Sequence, residues 1–263
     1  MSSVTISMPS LKSLLVGVLT SNGQHLGTAT AFVAVHASGE YLVTNWHVVS
    51  GRNTEDGKPM HGSGAVPETL HVMHNVAGQI GRGTSRLELL YGQSGAPLWL
   101  EHPSHGRKVD VVAIPLRQTD GIAQYPYDAA NPGPPITLGA GDLVSIIGFP
   151  FGRTGGGAAG IWVQGWVATE PGFDFNMLPC FLVDSRTRQG QSGSPVILYR
   201  KGVYTTDDGS VMASTKPVER FVGVYSGRIN TESDLGIVWK GGALDEILAG
   251  QHRGPIPKIG PPP

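Results

Sequence analysis

The sequence predicts an all-β protein of two tandem six-stranded antiparallel β-barrels followed by a short C-terminal helix. Three observations carry that expectation. Charged residues make up only 15% of the 263 positions while Gly fills 38 and Pro 20, a composition of strands and turns rather than of long helices. Short apolar runs alternate with turn chemistry at spacings of about ten residues, as in sandwiches and barrels. A proline-rich stretch at 118–135 divides those runs into two groups of about six. A chain of this length buries roughly three-quarters of its unfolded surface, enough for two small barrels sharing an interface.

In order along the chain, residues 14–20, the turn Ser21-Asn22-Gly23, residues 27–35, the turn His36-Ala37-Ser38-Gly39 and residues 41–44 read as three consecutive antiparallel strands. Residues 51–83 lose that regularity and read as a long connection holding one strand at 69–74. Further strands are expected at 87–91, 98–100 and 109–116. The stretch 118–135, with Pro126, Pro132, Pro134 and Pro135, has nothing to pack and several helix-breaking residues. It sets the expected domains at 1–126 and 127–249. Strands then follow at 143–148, 161–168, 180–183, 194–199, 221–225 and 236–239. Residues 242–248 read as a helix with Leu244, Ile247 and Leu248 on one face. The tail, 250–263, carries Pro255, Pro257 and three terminal prolines, and is expected to be extended or disordered.

Composition also excludes partners. A formal charge of −1 leaves no basic surplus for a phosphate backbone, so no nucleic acid is expected. The apolar stretch at 11–19 is too short for a membrane span, contains Lys12 and Ser13, and runs into a turn rather than a cleavage site; neither a membrane span nor a secretion signal is expected. A single cysteine, Cys180, permits no intrachain disulfide and no thiol cluster, which points to a reducing, cytoplasmic setting. Within Leu178-Pro179-Cys180-Phe181-Leu182 it reads as a small buried hydrophobe. The pairs His71/His74 and His102/His105 lie in strand or loop contexts without a suitably spaced glutamate, so no metal is expected, and no cofactor. The glycine-rich run at 155–160 lacks the Lys-Ser/Thr ending of a phosphate loop.

Gly190-Gln191-Ser192-Gly193-Ser194-Pro195 puts a serine in a glycine-flanked turn before an apolar strand. Glycines there let N–H groups converge on a developing oxyanion, although a surface turn of small residues would read the same way. A serine nucleophile needs a base. His47 follows a strand, amid apolar residues in Thr44-Asn45-Trp46-His47-Val48-Val49, and as a lone feature it also fits a core histidine bonded to backbone. A buried carboxylate must orient the imidazole. Asp110 leads the apolar strand Asp110-Val111-Val112-Ala113-Ile114-Pro115-Leu116, either as a solvated strand end or as that partner; Asp120, Asp128 and Asp142 sit in polar or turn contexts.

The order His, Asp, Ser in TNWHVV, DVVAIPL and GQSGSP resembles the chymotrypsin-fold serine peptidases, particularly their HtrA-like and other bacterial-type branches. Residues 147–152, Ile-Gly-Phe-Pro-Phe-Gly, resemble the I-G-x-P-F-G segment of the HtrA-like branch, and residues 26–33 stand in the place of its glycine-rich second strand. The resemblance covers roughly residues 14–248. It implies Ser192 as nucleophile, His47 as general base and later acid, Asp110 as orienting carboxylate, and the N–H groups of Gly190 and Ser192 as the oxyanion hole. Tyr225, Ser226 and Gly227 match the strand that pairs with substrate backbone, with Ser226 beside the buried carboxylate. A protein or peptide substrate follows, as does an oligomeric state of monomer or trimer.

Departures from the family pattern carry expectations of their own. Gln191 replaces the acidic residue that pairs with a newly cut N-terminus in trypsin-like zymogens, and no Ile-Val-Gly-Gly-like start is present, so activation by N-terminal cleavage is not expected. Ser194 stands where glycine is usual, Asn45-Trp46 replace smaller residues before His47, and a PDZ domain is not expected. Arg186, six residues before Ser192, falls where trypsin-like enzymes place the floor of the specificity pocket, with Thr187 and Arg188 beside it. Guanidinium groups facing the pocket would favour an acidic residue before the scissile bond; arginines turned to solvent or paired with Asp184 would leave a small apolar pocket. Either way, cleavage after Lys or Arg is not expected. A catalytically silent two-barrel module that binds a peptide or partner is the alternative to a serine endopeptidase.

Overall fold

The computed structural model describes residues 6–230 and 232–255. A single helical turn, α1 (Pro9–Lys12), leads into β1 (Ser13–Leu19), β2 (His25–His36) and β3 (Gly39–Thr44). The short helix α2 (Trp46–Ser50) follows, then β4 (Thr69–Val76), β5 (Gly83–Leu89), β6 (Val112–Pro115), β7 (Ile122–Ala123) and β8 (Tyr127–Asp128). Hydrogen bonding orders them β5-β4-β1-β2-β3-β6, with β7 added antiparallel to β4 and β8 parallel to β2. Alternation explains why β4 forms: Leu70, Val72 and His74 are buried while His71 faces solvent, so one face packs and the other is wet.

The second half contains β9 (Leu143–Gly148), β10 (Ile161–Val167), β11 (Cys180–Asp184), β12 (Pro195–Thr205), β13 (Val211–Arg228) and β14 (Leu235–Lys240), ending in α3 (Gly241–Gly250). These strands close as β10-β11-β14-β13-β12-β9. One apolar cluster fills each half, built on Val16, Leu42, Leu70 and Val112 in the first and on Val144, Phe181, Val196 and Val238 in the second. A third joins the halves, where Phe32, Val43 and Tyr127 meet Ile147, Phe221, Trp239 and the buried face of α3. That seam is what sets loops of the two halves against each other.

The fold is the expected pair of antiparallel β units with a C-terminal helix, and several details differ from the expectation. Strand pairing closes only the second unit; the first is an open path with β5 and β6 at its ends. Residues 127 and 128, expected to open the second unit, still pair with the first sheet, so the changeover falls after β8. At 98–100 there is no strand, only bridges from Leu100 to Ala113 and Arg253. The β12–β13 hairpin runs well past the expected 194–199 and 221–225. Its outer part, from Gly202↔Ser214 to Thr205↔Val211, is nearly all exposed, Val203, Val211 and Met212 included, so its apolar residues do not mark a core face. The start of the tail is docked: the Glu101 N–H donates to the His252 carbonyl at 2.8 Å, and Gly254 is buried against Glu101. The rest of the expected disordered tail, 256–263, lies outside the described residues, among which no helix is long and apolar enough to cross a membrane.

Candidate active site

His47 sits in the first turn of α2 rather than simply at the end of β3. Asp110, two residues before β6 and only 4% exposed, meets it twice. Oδ1 accepts the His47 backbone N–H at 2.9 Å, and Oδ2 lies 2.6 Å from Nδ1. An ionised carboxylate can only accept, so Nδ1 carries the proton and Nε2 presents a lone pair. The Asn45 amide holds the same loop by donating to the Asp110 carbonyl at 2.6 Å. Burial pushes the His47 pKa down, but the Asp110 charge and its hydrogen bond outweigh it and leave the imidazole above its ordinary 6.5.

A third donor completes the carboxylate. Ser226 Oγ–H donates to Asp110 Oδ2 at 2.5 Å across the seam between the halves. It can reach because pairing of β13 with β14 slips between Tyr225 and Gly227, leaving Ser226 as the extra residue of a bulge that turns its side chain toward Asp110.

The loop bearing Ser192 is shaped by two glycines whose conformations exclude other residues. Gly190 has φ +97°, and a Cβ there would lie 2.4 Å from the Phe149 carbonyl oxygen. Gly193 has φ +84°, and a Cβ would lie 2.1 Å from the Thr30 carbonyl oxygen. Gln191 is fully buried, and its Oε1 accepts the Arg188 N–H at 2.9 Å, bracing the turn from within. Ser194 finds room for its hydroxyl because position 148 is Gly, where a Cβ would come within 2.1 Å of it.

Peptide geometry then aims the donors. The Gln189 carbonyl accepts the Phe151 N–H at 2.7 Å, and in a trans peptide the N–H of Gly190 must point the opposite way. Among the described residues, neither the Gly190 N–H nor the Ser192 N–H donates to any protein group. Both residues line, with His47, a cleft of about 240 Å³. Ser192 Oγ makes no hydrogen bond to His47 in this state; catalytic contacts of this kind often tighten only with substrate bound.

The remaining candidates divide into two groups. Arg186 and Arg188 are exposed, and Arg188 caps the Thr187 carbonyl at 2.8 Å; neither pairs with Asp184 among the described residues. Thr187 and Tyr225 are buried and hydrogen-bonded to each other through their hydroxyls. Ser226 is committed to Asp110, and Gly227 is half-buried on the bulged strand. Sequence reasoning passed over Thr30, whose hydroxyl ties the first sheet to the serine loop, and Glu101, a buried carboxylate shared by Trp46 and Trp99. The unusual Trp46 beside His47 was the available signal for Glu101. Thr30 lay inside a strand segment already singled out.

No protein-family model matches the chain, and no characterised protein matches it in sequence. Solved structures do resemble it. A thermostable serine protease, AL20, from an extremophilic microorganism aligns over 93% of this chain and 98% of its own, with TM-score 0.52 and 12% identity. A serine endoprotease from Yersinia pestis aligns over 94% of this chain and 67% of its own, with TM-score 0.50 and 15% identity. Likeness over nearly the whole chain, with two antiparallel β units in tandem, gives the chain the fold of the chymotrypsin-like serine endoproteases.

Proposed function

We propose that the protein is a serine endopeptidase that cleaves peptide bonds through an acyl-enzyme, with Ser192 as nucleophile, His47 as base and Asp110 as the orienting carboxylate. The observation that carries this reading is the placement, in one cleft, of an imidazole with Nε2 free and a serine flanked by two unbonded N–H groups. Ser192 Oγ would attack the scissile carbonyl carbon while His47 Nε2 takes its proton. The carbonyl oxygen, now negative, would be met by the N–H groups of Gly190 and Ser192. Collapse would break the C–N bond as His47 returns the proton to the leaving amine. Water would then repeat the sequence on the acyl ester and restore Ser192.

Protein or peptide substrates follow from this chemistry, since the scissile group must enter an open cleft between two β units. A silent binding module makes no use of an Asp110 carboxylate desolvated against His47, where an unpaired charge is costly. An active-site fluorophosphonate probe decides between the two. Wild type should label at Ser192, and Ser192→Ala should neither label nor hydrolyse peptides while keeping its folded spectrum. Unlabelled wild type, or peptide hydrolysis retained in Ser192→Ala, overturns the reading.

A further inference from the structure

We infer that the cleft beside His47 binds the leaving-group side of the substrate and selects an apolar side chain within the first two residues after the scissile bond, an inference that rests on the serine-endopeptidase reading. Chemistry sets the direction. The carbonyl oxygen of the bound substrate belongs at the Gly190 and Ser192 N–H groups, and the leaving amine must lie against His47 Nε2 to receive its proton. Chain beyond that amine therefore passes over α2. The cleft lies there: its walls include His47, Val48 and Gly51, and no residue of β13 lines it.

The lining determines what fits. Val18 and Leu26 come from the first sheet, Val48 from α2, and Met60, Ala65 and Pro67 from the connection after α2. Thr28, His47, His61, Gln189 and Ser192 are its polar lining residues and no Lys, Arg, Asp or Glu is among them, so a carboxylate or ammonium would be desolvated there without a Lys, Arg, Asp or Glu to pair with. At about 240 Å³ the space falls below the roughly 300 Å³ at which sites for whole small molecules begin, and suits a side chain or two. Met60 forms the outer edge. Its backbone N–H is fixed to the Gly51 carbonyl at 2.8 Å while its side chain is 59% exposed, a flexible thioether that can close over aliphatic or aromatic groups. On the acyl side depth is scarce: the Tyr225 ring is buried, bonded to Thr187, and pressed so close to Gly236 that a Cβ there would sit 2.5 Å from the ring.

The test combines fluorophosphonate labelling, whose small leaving group does not occupy this cleft, with a quenched-fluorescent peptide set varied only at the two positions after the cut. Leu, Val, Met or Phe at one of those positions should raise kcat/KM about tenfold or more over Ala, and further over Asp or Lys. Met60→Glu, at an exposed edge position, should erase that preference and shift it toward Lys. A labelled enzyme that cleaves without discriminating at either position, prefers charge there, keeps its preference in Met60→Glu, or cleaves no member of the set overturns the inference and leaves a serine hydrolase. Absence of labelling overturns both.

Discussion

The hydroxyl of Thr30, in the middle of β2, donates to the Gly190 carbonyl at 2.8 Å and accepts the Phe149 N–H at 3.1 Å. Its backbone N–H reaches the Ser192 carbonyl at 2.9 Å. One buried residue of the first sheet thus sets the loop of the second that would carry the nucleophile.

Thr30→Val keeps the shape and removes both hydroxyl bonds. Each buried group left without a partner costs about 1–3 kcal/mol, so stability should fall by about 2–6 kcal/mol in denaturant titration. Labelling of Ser192 should slow as well, and Thr30→Ser should recover most of both. Equal labelling rates in Thr30→Val and wild type would separate this contact from activity.

Phe151 offers a sharper probe of the same loop. It sits at φ +55°, a conformation unfavourable for a bulky residue, and its N–H holds the Gln189 carbonyl away from the cleft. Phe151→Gly adopts that conformation freely and keeps the donor, so labelling should persist. Phe151→Pro removes the donor and forbids the angle, and turnover should drop by about two to three orders of magnitude, the loss seen when one oxyanion donor fails. Measured kcat for the two variants checks the difference.

A raised His47 pKa gives the pH dependence a definite sign. The base must be neutral, so kcat/KM should rise with pH through an inflection above 6.5. Asp110→Asn removes both upward influences and leaves burial alone, which should move the inflection below 6.5 and reduce turnover by about four orders of magnitude through the wrong tautomer. Stability runs the other way. Because the folded pKa exceeds the unfolded 6.5, the pairing contributes fully below that value and is lost as pH rises through the folded pKa. Denaturant midpoints measured across that range for both proteins test the linkage.

Glu101 is predicted to be structural. Its Oε1 accepts the indole N–H groups of Trp46 and Trp99, each at 2.9 Å, under the cover of Gly254. Glu101→Leu leaves two buried donors without acceptors, and thermal unfolding should show a loss of about 2–6 kcal/mol. Glu101→Gln retains an acceptor and should lose much less.

Much of this molecule is written locally. Residues 14–20, 27–35 and 143–148 alternate or run apolar between turn residues, and they form β1, β2 and β9, because a strand's burial pattern has a period of two that survives in the sequence. The motifs holding His47, Asp110 and Ser192 stand out for the same reason: each breaks a local rule by placing a polar group in an apolar or glycine-strained context. Relationships among segments far apart in the chain are not written there. The outer β12–β13 hairpin leaves Val203, Val211 and Met212 in solvent, so its apolar residues do not mark a buried face. Closure of the second unit but not the first depends on strand register across the whole sheet. Tertiary structure alone decided that Arg186 and Arg188 turn outward while Thr187 turns in to Tyr225, that Thr30 reaches Gly190 across 160 residues, and that Trp46 shares Glu101 with Trp99. The physical reason is that composition and period report which side chains must leave water, whereas partners among the buried groups are chosen only when the two halves pack and each buried donor must find the nearest acceptor.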